Sequence, residues 1–327
     1  MRPIHHFLLP VSLALLAASA LADYPDKPVT LIVPFAAGGP TDRVARDFAD
    51  ALHRTLGGQP IVIDNSAGAG GNIGAAKVAR AAPDGHTLLL HNIGMATAPA
   101  LYRSLQFKPL EDFEYLGLVS EVPMTVIGRH DLKAGSLPEL RRLITADPGK
   151  LTLANAGVGS AAHLCGLLFQ DALKAKLVSV PYKGTGPAMS DLLGGQVDLM
   201  CDQTTNTSAQ IETGKVKAFA VTTTKRLPAP AAIAKLPTLD ESGLKGFNVT
   251  IWHALYAPKG TPKPVVDKLN GALKAALKDA GFQKREAADG VVVVSDARAN
   301  PAEHKKFVEA EIAKWTPVIK AAGQYAD

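Results

Sequence analysis

Short apolar runs alternate with helix-like stretches twice along this chain, and that alternation is what most limits the folds open to it. Apolar runs bounded by glycine-rich turns and followed by helical periodicity read as α/β units. The first series predicts strand 29–33, helix 42–56, strand 60–64, helix 73–81, strand 87–91 and helix 96–102. A second series begins near Pro123. It predicts strand 124–128, helix 137–145, strand 151–154, helix 161–172, strand 177–181, helix 186–193, strand 197–201, helix 205–213 and strand 218–222. A loop with several prolines, Trp252 and the run APKGTP (257–262) follow, then two helical stretches at 264–280 and 301–322. This tail is too poor in strands to be a domain, so it is expected to pack back on the first series. The chain then crosses between two units near residues 123 and 250. The expected architecture is a two-lobed α/β molecule with a cleft and a hinge: residues 23–122 with 251–327, and residues 123–250.

Three strand-to-helix connections share one design. They are VPFAAGGPTD (33–42), DNSAGAGGNIG (64–74) and AGVGSAAH (156–163). Glycine permits positive φ and close approach of a ligand to the backbone. The first helical turn offers unpaired N–H donors and a partial positive charge, so an anion can bind there without a cationic side chain. Pro40 suits a first-turn position, where its missing N–H costs nothing. The plainer alternative is that these are only tight connections. Three such turns, spread over both series, favour the anion.

Bulk properties narrow the class. The chain has 327 residues, 47% hydrophobic and 20% charged, with a net charge of +5 and no basic run. That suits a two-domain globular protein with a mild attraction for acidic solutes, and it disfavours nucleic acid. The start, MRPIHHFLLPVSLALLAASALA, reads as a signal peptide cleaved after Ala22, which predicts an exported mature chain. Its apolar core is short of a membrane span. Two cysteines, Cys165 and Cys201, lack the spacing of a structural zinc site. Export permits a disulfide; two separately buried thiols are the expected state.

Other chemistries fit poorly. Gly157-x-Gly159-x-x-Ala162 matches a loose dinucleotide fingerprint, but the next strand ends in Pro181-Tyr182-Lys183, without the acidic residue that fold needs. The first loop lacks a P-loop ending. There is no G-x-S-x-G elbow and no H-E-x-x-H, and the nine histidines show no metal-ligand spacing. Ser160 and His163 at a helix start read as a cap rather than a catalytic pair. An exported hydrolase is therefore disfavoured, and no cofactor or metal is expected.

The stretches VPFAAGGPTDRVAR (33–46), GAGGNIGAAKVARAAPDGHTLL (68–89), PALY (99–102), VPYKGTGPAMSDLLGGQVDLMCD (180–202), LPTLDESG (236–243) and APKGTP (257–262) together resemble the Bug-type periplasmic receptors of tripartite tricarboxylate transporters. The resemblance covers nearly the whole mature chain. It implies a type II periplasmic binding-protein fold, capture of a small carboxylate (a di- or tricarboxylate, an acidic amino acid or an aromatic acid), and delivery to a membrane permease by a monomeric receptor. A receptor of the same fold could instead report occupancy to a sensor kinase. The implied ligand residues are Phe35, Ala37, Gly38, Gly39, Thr41 and Asp42 from one lobe and Gly159, Ser160, Ala161 and His163 from the other. Asn92, Thr185 and Asp202 complete the set. Asp202 reads either as an acceptor for a ligand hydroxyl or ammonium, or as a helix N-cap. Three departures keep the ligand open: Ser66-Ala67 replaces the family's Arg-Pro, Ala254 replaces a glycine, and 92–95 is individual.

Overall fold

The computed structural model describes residues 24–321. The signal-peptide reading and the last six residues of the tail lie outside them. The first strands, β1 (Val29–Val33), β2 (Ile61–Asn65) and β3 (Thr87–Asn92), are parallel in the order β2-β1-β3. Helices α1 (Pro40–Thr55), α2 (Asn72–Ala79) and α3 (Gly94–Leu101) make the crossovers or follow the last strand. A 17-residue strand, β4 (Phe113–Arg129), comes next.

The second series is α4 (Leu137–Ala146), β5 (Thr152–Asn155), α5 (Ala161–Leu173), β6 (Val178–Pro181), α6 (Thr185–Leu193), β7 (Leu199–Gln203), α7 (Thr204–Glu212), β8 (Val216–Val221) and a short α8 (Ala231–Ala234). The tail contains β9 (Thr250–Pro258), α9 (Lys263–Ala276), α10 (Ala280–Ala288), β10 (Val292–Val293) and α11 (Pro301–Ala321).

Two long strands join the series. The front of β4 pairs antiparallel with β9 from Phe113 to Pro123, and β9 continues to β3. From Met124 onward β4 changes partners and runs antiparallel to β7 and β8. The sheet order β2-β1-β3-β9-β4-β7-β5-β6 thus passes through one strand shared by both halves. Pro123 sits at the changeover, opposite Thr250, where a missing N–H removes least from a ladder.

The structure departs from the sequence expectations in three places. The front of β4 and all of β9 were not foreseen, and they form the backbone of the crossing. The first tail helix ends at Ala276 rather than near 280, and α10 is a separate helix capped by Asp279, whose carboxylate accepts the Phe282 N–H at 2.8 Å. The tail helices lie on the first series: α9 and α10 on α1, α11 on α3 and β4. There Glu311 accepts the indole N–H groups of both Trp252 and Trp315, at 3.0 and 2.9 Å.

The third departure is covalent. Cys165 and Cys201 are not separate thiols; they form a disulfide with Cα atoms 6.0 Å apart. The helix α5 lies across β7 and brings the two positions together, which spacing along the chain could not show. Both residues are buried. Closing a loop across 36 residues restricts the unfolded chain, a stabilisation of about 3–4 kcal/mol. The double variant Cys165→Ala/Cys201→Ala is expected to lose that amount in chemical denaturation. A loss below about 1 kcal/mol would contradict the loop-closure argument.

Candidate carboxylate site

Four helices begin at one place between the two halves. The Gly39 N-cap starts α1, with Pro40 and Thr41 in its first turn. Ser160 caps α5, Gly184 precedes α6, and Gln203 precedes α7. Gly39, Pro40, Thr41, Ser160, Ala161, Ala162, Thr185 and Gln203 all line the same pocket, with Phe35, Asn92, Ala156 and Asp202. Each helix start carries unpaired N–H groups and the positive end of its dipole. No lysine or arginine is among the lining residues. The positive character of the site is therefore supplied by backbone, which suits a small anion, with the Asp202 carboxyl as the opposing charge.

The local sequence explains the turns. Gly38 adopts φ +78°, a left-handed conformation that lets the chain leave β1 and enter α1 directly. Its N–H donates to Asp42 Oδ2 at 2.9 Å. Burial alone would raise the Asp42 carboxyl, but hydrogen bonds from Arg46, the Gly38 N–H and Asn65 hold it below the usual carboxylate range. Asp42 therefore shapes the loop from behind. In α5, Ser160 Oγ accepts the His163 N–H at 3.2 Å, and His163 Nδ1 accepts the Gly159 N–H at 3.2 Å. These two side chains brace the turn and are not arranged as a nucleophile and its base.

Of the sequence-derived set, Phe35, Gly39, Thr41, Asn92, Ser160, Ala161, Thr185 and Asp202 line the pocket. Ala37, Gly38 and Gly159, in the turns, and Asp42 and His163, in the first turns of α1 and α5, are not among the lining residues. Sequence reasoning passed over Gln203 and His253. His253 is wholly buried on β9, and its Nε2 lies 3.3 Å from Thr41 Oγ1.

Asp202 is not the cap of α7; it is the penultimate residue of β7, and Gln203, the last, is the capping position. Its Oδ2 accepts from Asn206 Nδ2 at 2.5 Å, while its Oδ1 is buried and without a partner. Burial pushes its pKa up to about 6, against hydrogen bonds from Asn206, the Gln203 backbone and the Thr185 hydroxyl. The side-chain oxygens of Gln203, Thr204 and Thr205 are likewise buried and unpartnered. Of these residues Thr185, Asp202 and Gln203 line the pocket, which so presents a hydroxyl, a carboxyl and an amide to a polar ligand, since buried polar atoms ordinarily find partners.

The two halves meet around this pocket. The Ala36 N–H donates to the Lys183 carbonyl at 3.3 Å, Tyr102 Oη to the Val158 carbonyl at 2.5 Å, and Thr97 Oγ1 to the Gly159 carbonyl at 3.3 Å. A Cβ on Gly70 would fall 2.4 Å from the Val158 oxygen, so only glycine lets the backbones approach here. The space left inside is about 10 Å³, roughly the room of one water. Among the described residues no His, Cys, Asp and Glu side chains group as a metal site, and no helix is long and apolar enough to cross a membrane.

Comparison with known proteins bears on the family and the fold. The family model described as the tripartite tricarboxylate transporter family receptor matches residues 44–324. A protein encoded in the TAR-I ttuE–ttuC′ intergenic region of Agrobacterium vitis is 49% identical over 307 residues, 94% of this chain and 88% of that one. The solved periplasmic binding protein BugD superposes with a TM-score of 0.89 at 51% identity, covering 92% of this chain and 99% of its own. MatC from Rhodopseudomonas palustris, solved with bound malate, gives 0.86 at 40% identity over 90% of this chain and 100% of its own. The expected α/β periplasmic binding-protein fold is thereby established, and the chain belongs to the tripartite tricarboxylate transporter receptor family, as a periplasmic solute-binding receptor rather than an enzyme.

Proposed function

We propose that this receptor captures a small aliphatic dicarboxylate carrying a hydroxyl or ammonium group, and delivers it to a membrane permease as a monomer. The carrying observation is the convergence of four helix N-termini on a pocket without a cation. One carboxylate would rest on the start of α1, with Thr41 adding its hydroxyl and Ser160 and its neighbours reaching from α5. Asp202 Oδ1 would accept the hydroxyl or ammonium. Malate, found in MatC, is a ligand of this chemistry. The signal peptide would be removed after Ala22.

The two lobes would be residues 24–122 with 251–321, and 123–250, hinged where β4 and β9 cross. A dicarboxylate cannot enter a space the size of one water, so the lobes must part and reclose. Solution scattering is expected to give a smaller radius of gyration with ligand than without. An unchanged radius at saturation would remove the hinge.

A thermal-shift screen of malate, aspartate and longer dicarboxylates tests the ligand class. A ligand at 100 times its dissociation constant adds about 2.7 kcal/mol of stability. Thr41→Ala should weaken the best ligand by about 1 kcal/mol, one hydrogen bond's worth. Stabilisation by neutral analogues but not by acids would overturn the reading.

A further inference from the structure

We infer that His253 is a positioning residue for the ligand: its Nε2–H is donated to Thr41 Oγ1, which aims the Thr41 hydroxyl proton into the cleft. The inference rests on the carboxylate reading of the site. It begins with Asn92, the residue beside His253 on the neighbouring strand β3. The Gly94 N–H donates to Asn92 Oδ1 at 3.0 Å, which fixes the amide. The amide nitrogen therefore faces Thr41 and donates to its Oγ1 at 3.2 Å.

Thr41 Oγ1 has one remaining lone pair and one proton, and two neighbours: His253 Nε2 and the pocket. Burial keeps the His253 imidazole neutral, with a pKa near 3, so it carries one N–H. If the proton is on Nδ1, Thr41 must donate to Nε2 and presents only lone pairs to the ligand. If it is on Nε2, Thr41 accepts twice and its O–H is free for a carboxylate oxygen. His253 Nδ1 has no partner, and neither has the buried hydroxyl of Ser120, its register partner on β4. Directly opposed residues of adjacent strands share a face with Cβ atoms close together. A serine hydroxyl can serve as donor or acceptor, so it can accompany either tautomer. The choice is left to the ligand, and a carboxylate selects Nε2–H.

The test uses calorimetry with whichever of malate, aspartate and adipate binds the parent chain tightest. His253→Phe should weaken binding about five- to tenfold, the loss of one oriented hydrogen bond. His253→Gln, whose amide N–H can replace Nε2–H, should restore most of it. In a Thr41→Val background both substitutions should change affinity by less than about twofold, because coupled residues are not additive. Nitrogen-15 spectra of the ligand complex should show His253 protonated at Nε2. The inference is overturned if His253→Phe binds like the parent, if it loses as much in the Thr41→Val background, or if the complex holds the Nδ1–H tautomer. If His253→Phe does not fold, the Gln variant and the spectra still decide. A parent chain that binds none of the acids removes the carboxylate reading and this inference together; a binding parent with an indifferent His253→Phe removes only the inference.

Discussion

Gly39→Val is expected to abolish ligand capture while leaving the fold intact. Gly39 has φ −82° and ψ 173°, an extended conformation open to any residue, so backbone strain is not the cause. A Cβ there would lie 3.4 Å from the Ala36 carbonyl oxygen and 3.7 Å from both Gly186 N and Thr185 Oγ1. Those last two atoms belong to the opposite half. Alanine therefore fits in ordinary contact, but the branched methyls of valine would press on the start of α6. The cleft would be held open and the donors of α1 and α5 kept from a common ligand. Calorimetry should show Gly39→Val at least about 100-fold weaker, or about 2.7 kcal/mol. Gly39→Ala should stay within about tenfold of the parent. A valine variant that binds like the parent would show that the carboxylate is not held at this turn.

Asp202 gives the second large effect, through pH. Its carboxyl is raised from 3.8 to about 6 by burial, so the folded state holds the proton more tightly than the unfolded chain. This contribution to stability is complete below about pH 3.8 and is lost as pH rises through about 6. At 1.36 kcal/mol per unit the loss is about 3 kcal/mol by pH 8. Asp202→Asn cannot ionise and can still accept from Asn206. It should match the parent in denaturation at low pH and exceed it by up to about 3 kcal/mol at pH 8. Equal stabilities at pH 8 would show that the ionised carboxylate is not penalised by burial.

Affinity should read the same group. A dicarboxylate without a positive charge, such as malate, must share the pocket with Asp202. Its binding should take up a proton and weaken by up to about tenfold per pH unit above 6. An amino acid ligand such as aspartate can place its ammonium against the ionised form and escape this penalty. Parallel pH profiles for the two ligands would exclude Asp202 from ligand contact. Asp202→Asn should flatten the malate profile and abolish the difference. A residue that costs stability at neutral pH and faces a pocket fits a recognition role, since perturbed carboxyls concentrate at such sites.

The local features of the site were legible in the sequence because their causes are local. Val29–Val33 is an apolar run ended by Gly38-Gly39, and Pro40 begins a helix, so strand, turn and helix start could all be read from one short stretch. Ser160 announced the cap of α5 in the same way. The crossing strands were illegible for the opposite reason. The front of β4 contains Gly117, Glu121 and Pro123, which read as breaks, yet its register is imposed by β9 more than a hundred residues later. The disulfide needed α5 to lie over β7. His253 carries no signal at all in an apolar stretch. Its meaning comes from Thr41, 212 residues away, and from Asn92 on the adjacent strand.

The central claim is that backbone N–H groups at converging helix starts hold the carboxylates of a small ligand. It is tested most directly by calorimetric titration with malate, aspartate and their diamides, which keep the shape and remove the anionic groups. The account predicts one saturable site for at least one of the two acids and no measurable heat of binding for its diamide. Equal binding of an acid and its diamide, or binding of neither acid, would contradict it.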